Sequence, residues 1–258
     1  MRLLTVGGII SYRALFNWAT PTMYIGTLLI GPVFQLLFFA FLGRQLGVAD
    51  DSYYIVGNAV LASSALCLFG GSMAVLNERR YGTLGHVLLS PRSRTLTWIG
   101  RGLPYAANGV LVATFTLVVG ALALGLRIPA AAVPGLACAI VAASASCAAF
   151  GLVLGALALR FRDAWLINNT MVSIIVLVSG ANVPRYVLPG WMRTVGDLMP
   201  VTHATAAARS LVNGASLSAA GGNVLWELAV GGAYALIAAI LLKLFETESR
   251  RTASLDTL

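Results

Sequence analysis

Residues 128–159, IPAAAVPGLACAIVAASASCAAFGLVLGALAL, are 32 consecutive positions without a single Asp, Glu, Lys or Arg. A bilayer span needs about 20 apolar residues, so this stretch is long enough to cross lipid and too apolar to coat a soluble surface. Its small residues, Ala142 to Ala149 followed by Gly151-x-x-x-Gly155, let a second backbone approach closely, and they predict a helix packed inside the protein rather than a dimer seam. Four more uncharged runs flank it: Ala14–Gly43, Ser52–Asn77, Gly102–Leu126 and Ala164–Pro184. Over the whole chain of 258 residues, 59% are hydrophobic and 10% charged, against roughly 25% charged in an average soluble domain. So few ionic groups cannot solvate a globule of this size, and the sequence predicts an all-α, polytopic integral membrane protein forming a single domain over 1–258.

Six spans are expected, at about 20–42, 54–77, 103–126, 133–159, 165–183 and 223–245. The sixth requires Lys243 to snorkel toward one surface and Glu227 to sit at the opposite headgroup level. Residues 1–19, with Arg2 and Arg13 among Leu3, Val6 and Ile10 and with Tyr12 and Trp18 suited to the headgroup level, read as an interfacial helix. No cleavable signal is expected, because the first apolar run exceeds a signal core and lacks a small-residue cleavage site.

The net charge of +8 comes from sixteen arginines and Lys243. These cations cluster at the ends of apolar runs, where they set topology, so nucleic acid is not an expected partner. With both termini inside, twelve of the seventeen cations lie on inner segments, and Arg44, Arg127, Arg185, Arg193 and Arg209 lie outside. The termini are therefore expected to be cytoplasmic. Cys67, Cys138 and Cys147 fall within apolar runs without paired spacing, which suggests neither a disulfide framework nor a metal site.

Two segments do not read as spans. Residues 78–101 hold six of the charged residues, and within 78–94, ERRYGTLGHVLLSPRSR, Leu84, Val87 and Leu88 share one helical face before Ser90-Pro91 opposes continuation. A short amphipathic cytoplasmic helix is expected there. Residues 184–222 form the other segment, in which Pro184, Pro189 and Pro200 interrupt helix while apolar residues continue between them. Backbone left unpaired at membrane depth must be buried in protein or line a cavity, which predicts a re-entrant pair of short helices with Trp191, Arg193, Asp197, His203 and Arg209 on its outer rim. For His203, a hydrogen-bonded interface role is preferred over a proton relay.

Glu78-Arg79-Arg80-Tyr81-Gly82-Thr83-Leu84, followed by Leu88-Leu89-Ser90-Pro91, resembles the E-R-x-x-G-T-L segment after the second span of type-2 ABC transporter permeases. Ser179-Gly180-Ala181-Asn182-Val183-Pro184, Leu188-Pro189-Gly190-Trp191 and Met199-Pro200-Val201-Thr202-His203-Ala204 are similar to that family's pattern after the fifth span. The likeness is greatest to daunorubicin-type antibiotic-resistance exporters. It implies a transport subunit of a bacterial inner (plasma) membrane, powered by two copies of a separate ATPase that carry the ATP and magnesium. It also implies a second permease copy or a paralogue around a shared pathway. Glu78, Arg79, Arg80, Tyr81, Gly82, Thr83, Leu84, His86 and Leu88 would then form the ATPase-coupling helix, and Pro184, Pro189, Trp191, Pro200 and His203 would mark the outer re-entrant segment. The sequence agrees on one point independently: a phosphate-binding loop needs G-x-x-x-x-G-K-[ST], and the only lysine, Lys243, lies between Leu242 and Leu244. No cofactor is expected on this chain.

Gln35 in the first span and Asn168, Asn169 and Ser173 in the fifth are uncharged polar groups in apolar runs. Such groups usually bridge helices, but in the resembled family the first, second and fifth spans line the pathway, which makes these four and Phe38 candidate substrate contacts. Phe34, Phe38, Phe39 and Phe41 suit an amphipathic cargo, such as a drug, natural product, lipid or lipid-linked glycan, better than an ion. The alternatives are an intramembrane enzyme or an ion-coupled carrier. Gly70-Gly71-Ser72 faintly resembles a serine nucleophile turn, but His86 and His203 are expected on opposite sides of the membrane and neither is placed near Ser72. A carrier calls for ionisable groups at the membrane midplane, and none is expected there.

Overall fold

The computed structural model of the chain describes residues 20, 22, 24–80, 94–158 and 164–252, and these are helical with no strand among them. The expected interfacial helix at 1–19 and most of the expected coupling helix, 81–93, lie outside the described residues.

The first apolar run opens as a π-helix, Tyr24–Ile30, and continues as α1, Gly31–Leu46. Pro32 stands at the junction; it has no N–H to give and its ring crowds the carbonyl four residues back, which suits a widened turn just before it. α1 ends at Leu46, capped by Gly47 and beyond the expected Leu42, and Arg44 in its last turn bridges to Asp51, with Nε at 2.8 and 3.0 Å from the two carboxylate oxygens. Asp51 opens α2, Asp51–Arg80, so Glu78, Arg79 and Arg80 continue the second span's helix rather than begin a new one. α3 runs Arg94–Leu124, α4 Val133–Ala158, α5 Ala164–Val178, α6 Gly190–Leu198, α7 Thr202–Val212 and α8 Leu217–Thr252.

Five helices among the described residues are long and apolar enough to cross a membrane, within Ile25–Leu46, Asp51–Asn77, Gly100–Leu124, Ala130–Ala158 and Leu217–Leu244. The fifth apolar run differs from the expected 165–183. Its helix α5 has 15 residues, about 22 Å at 1.5 Å per residue, and stops at Val178 against a hydrocarbon thickness of about 30 Å. Beyond it the chain bends through Ser179–Val183, with Gly180 at φ +80°, a conformation that costs a residue without Cβ little.

α2 is the hub, packed on α4 and α3 and more lightly on α1, α7 and α5. α2 and α4 meet backbone to backbone: a Cβ on Gly151 would lie 2.7 Å from the Leu68 carbonyl oxygen and 3.1 Å from Cα of Gly71, and one on Gly155 2.8 Å from Cα of Ser72. The G-x-x-x-G of α4 therefore faces the protein's own second span, as the small-residue reading expected. Leu68, Cys67, Val75, Ala143 and Cys147 fill the seam. α8 closes on the opposite side of α4, with Gly231 against Ser146. α1 and α8 leave most of their apolar surface outside, including Phe34, Phe38, Leu225, Trp226 and Leu236.

Candidate functional site

Among the described residues, the region after α5 combines irregular backbone with many tertiary hydrogen bonds. A helix end leaves carbonyls without intrahelical partners, and here the following residues bend away instead of continuing. Gly180 and Ala181 each present a carbonyl, and a single side chain from α7 takes both: Arg209 donates from Nη1 to the Gly180 oxygen at 2.8 Å and from Nη2 to the Ala181 oxygen at 2.8 Å. Its Nη2 and Nε also reach the Tyr53 carbonyl near the start of α2, at 3.0 and 3.3 Å. Tyr53 completes the group, its hydroxyl donating to the Gly180 oxygen at 2.6 Å and its ring lying 3.4 Å from the guanidinium carbon. Burial pulls the Arg209 guanidinium down to about 10, partly opposed by Tyr53, which leaves it a cation at neutral pH. Arg209, expected on the outer rim, is a half-buried tie between α7, the end of α5 and the start of α2.

A residue away, Asn182 accepts from Asn58 Nδ2 at 2.8 Å; Asn58 also donates to the Tyr54 carbonyl, and Gln35 Nε2 approaches Asn58 Oδ1 at 3.5 Å. Amides from the first span, the second span and the break after α5 thus form one chain. Gln35 stands at its exposed end.

The other end of α7 is held as tightly. Its N-terminal flanking residue is Val201, with φ +80° and no side-chain acceptor for the helix's free N–H groups. Glu227 supplies that acceptor from α8: Oε1 takes the Val201 N–H at 2.8 Å, and Oε2 takes those of His203 and Ala204 at 3.1 Å each. The carboxylate complements the positive end of the α7 dipole as well as its orphan donors. Glu227 is 0% exposed, buried in the protein between α8 and the start of α7. No sequence rule places a helix cap on a residue 26 positions away; the signal available was a lone acid inside an apolar run.

Two short helices, α6 and α7, occupy the proline-interrupted segment. Pro184 precedes a 3-10 turn at Arg185–Val187, Pro189 caps α6 and Pro200 precedes α7. The carbonyls that end α6 are taken by side chains: His203 Nε2 lies 3.0 Å from the Asp197 oxygen and Tyr234 donates to the Leu198 oxygen at 2.7 Å. His203 is thereby hydrogen-bonded to the end of α6, and its ring stacks toward Trp226. Arg185 pairs with Asp197 and donates to the Arg193 carbonyl, while Trp191, Arg193 and Asp197 are exposed. In α7, Val201, Ala204, Ala207 and Leu211 are buried, whereas Ala206 faces outward.

The candidate substrate contacts divide. Phe38 is exposed on α1, edge-on to Phe39. Asn169 and Ser173 are exposed on α5 and bonded within it, to the carbonyls of Trp165 and Asn169 at 2.9 Å each. Asn168 is buried and donates to Ser72 Oγ at 2.7 Å, so it ties α5 to α2. Ser72 itself bonds back to the Phe69 carbonyl, an arrangement for bracing helices rather than for a nucleophile. The coupling residues Glu78, Arg79 and Arg80 sit at the end of α2; Tyr81, Gly82, Thr83, Leu84, His86 and Leu88 lie outside the described residues.

Residues 8–212 match the family model described as ABC-2 type transporter. Over 184 residues the chain is 29% identical to "Probable multidrug ABC transporter permease YbhR" of Escherichia coli strain K12, and equally to the protein of that name in Escherichia coli O157:H7. Each alignment takes in 70% of this chain and 49% of the relative, so the chain spans about half the length of the curated relatives it matches.

Proposed function

We propose, from the premise that this chain belongs to the ABC-2 type transporter family, that it is the membrane permease subunit of an ATP-driven exporter. The observation that carries the reading is the reach of the family match, which runs through both the Glu78–Pro91 segment and the Ser179–Ala204 segment on a frame of long apolar helices. In this reading α5 and the bent segment after it make a sixth crossing, α6 and α7 form a re-entrant pair at the outer surface, and both termini are cytoplasmic in a bacterial inner membrane. Two ATPase subunits bind ATP and magnesium and press on the segment after α2, and a second permease copy or a paralogue completes the pathway. Gln35, Phe38, Asn169 and Ser173, exposed on the first and fifth apolar helices, offer an amphipathic cargo aromatic surface with a few amide and hydroxyl groups. A multidrug role is named for the relatives and is extended to this chain as part of the proposal.

An ion-coupled carrier would use a buried acid such as Glu227, but three backbone N–H groups already occupy that carboxylate. The test is to express the full chain with the product of any adjacent reading frame that encodes a Walker-type ATPase, purify the chain, and follow uptake of Hoechst 33342 into inside-out vesicles on ATP addition. Co-purification of the ATPase with ATP-dependent dye movement is expected. An ATPase that never co-purifies, with dye movement equal to that of vesicles lacking the chain, would overturn the reading.

A further inference from the structure

We infer that Arg209 is a two-position latch on the outer end of the pathway: a positioning residue that holds the break after α5 against α2 when seated on the Gly180 and Ala181 carbonyls and releases it by turning to Asp50. This rests on the permease reading for its role in transport, while the latch itself rests on the geometry.

Three observations carry it. First, four hydrogen bonds of the guanidinium go to neutral main-chain carbonyls, those of Tyr53, Gly180 and Ala181. Such bonds hold the cation without neutralising it, so a carboxylate within reach is a competing partner. Second, that carboxylate is at hand. A cavity of about 200 Å³ on the same side is lined by Asp50, Ser52, Tyr53, Arg209 and Asn213 among others, which gives the side chain both room to swing and an acid to meet. Third, α2 is shaped for the closed position. A Cβ on Gly57 would collide with Arg209 Nη2 and lie 2.5 Å from the Ala181 oxygen, so the absence of a side chain there lets the break and the guanidinium seat together. At the far end of α7, Glu227 holds the Val201, His203 and Ala204 N–H groups. α7 is therefore fixed at its N-terminus and latched near its C-terminus. Release of Arg209 frees the Ala181 carbonyl and leaves the Gly180 carbonyl to the Tyr53 hydroxyl alone, which loosens the contact between the end of α5 and the start of α2 while the Glu227 end stays seated.

The test uses the full chain with Cys138, the exposed native cysteine, changed to Ala, and one reporter cysteine at Ala181 or at Ala204, both buried. A membrane-impermeant maleimide is applied to right-side-out and to inside-out vesicles, and chain level in the membrane is measured in parallel. With Arg209 intact the Ala181→Cys reporter should react slowly. Arg209→Gln should speed it by about ten-fold or more, because several bonds to a charged donor are lost. Arg209→Lys, which keeps the charge but cannot span three carbonyls, should fall between the two, and Asp50→Asn should slow the reaction below the parent chain by removing the competing partner. The Ala204→Cys reporter should stay slow throughout. Equal acceleration at both reporters would mean general loosening and would overturn the latch, as would unchanged Ala181→Cys labelling in Arg209→Gln. Failure of both Arg209 variants to accumulate would make Arg209 a folding element and also overturn it. Acceleration confined to inside-out vesicles would leave the latch standing and instead contradict the orientation in the proposed function.

Discussion

Glu227 shows how one residue can decide the placement of a helix it does not belong to. Three N–H groups at the start of α7 converge on its two oxygens, and Val201 cannot replace them because it has no side-chain acceptor. Glu227→Ala should leave those donors buried and unpaired, at about 1–3 kcal/mol per group before relaxation, and should sharply lower the melting temperature of the detergent-solubilised chain. Glu227→Gln keeps one acceptor oxygen but turns an amide N–H₂ toward a donor, so its loss should be smaller than that of the Ala variant. Equal melting temperatures for Glu227→Ala and the parent would remove the cap from the energetics of the fold. Neither Glu227 nor Arg209 was legible in this role. A sequence shows an acid in an apolar run and a cation in an alanine-rich helix, but the partners are main-chain atoms 26 and about 28 residues away.

At the level of elements, the α2–α4 seam follows from residue size. Gly71 faces the Ala148 carbonyl and Gly151, where an added Cβ would lie 2.7 Å from the Ala148 oxygen and 2.9 Å from Cα of Gly151. Backbone cannot step aside as a side chain can, so Gly71→Ala and Gly151→Ala should each destabilise by about 1–3 kcal/mol. Gly232→Ala meets nothing within 4 Å and should be neutral or slightly stabilising, since alanine favours helix. Thermal melting of the three variants side by side checks the contrast; equal melting temperatures would mean the helices are not in this close contact. The segment beyond α2 carries a separate expectation. Arg79 and Arg80 extend the second span's helix beyond its apolar window, and reversing both to Glu should weaken ATPase co-purification while Arg92, Arg94, Arg101, Arg160 and Arg162 hold the topology. Unchanged co-purification and dye uptake would leave Arg79 and Arg80 only the role of positive-inside charges. The small-residue run of α4 was readable because helix packing in lipid depends on size at helical spacing. The early end of α5 was not, because Ser179 to Val183 are apolar enough to continue a span and only the waiting Arg209 and Asn58 make a bend affordable.

For the whole molecule, the expected orientation rests on cations alone. Twelve of seventeen fall on segments that are inside when the termini are inside. A Ser249→Cys chain should therefore label with impermeant maleimide in inside-out vesicles and not in intact cells; labelling from outside would reverse the topology. The isolated chain should also show no ATP hydrolysis, because its sequence has no G-x-x-x-x-G-K-[ST] loop, and turnover by a preparation proven free of other ATPases would contradict that.

By itself the sequence determined an apolar, helical membrane protein and two motifs whose order is that of a transporter family. Each of these depends on local composition or on spacing along one helix, and both can be read without knowing what touches what. The tertiary structure alone decided where the polar groups around the segment after α5 find partners: Arg209 on the carbonyls after α5, Glu227 on the N–H groups of α7, and Asn58 on Asn182. In a medium without water an unpaired backbone group is costly, so each irregular turn must be matched by a side chain from elsewhere in the fold. That match is a property of three-dimensional proximity, which no local pattern encodes.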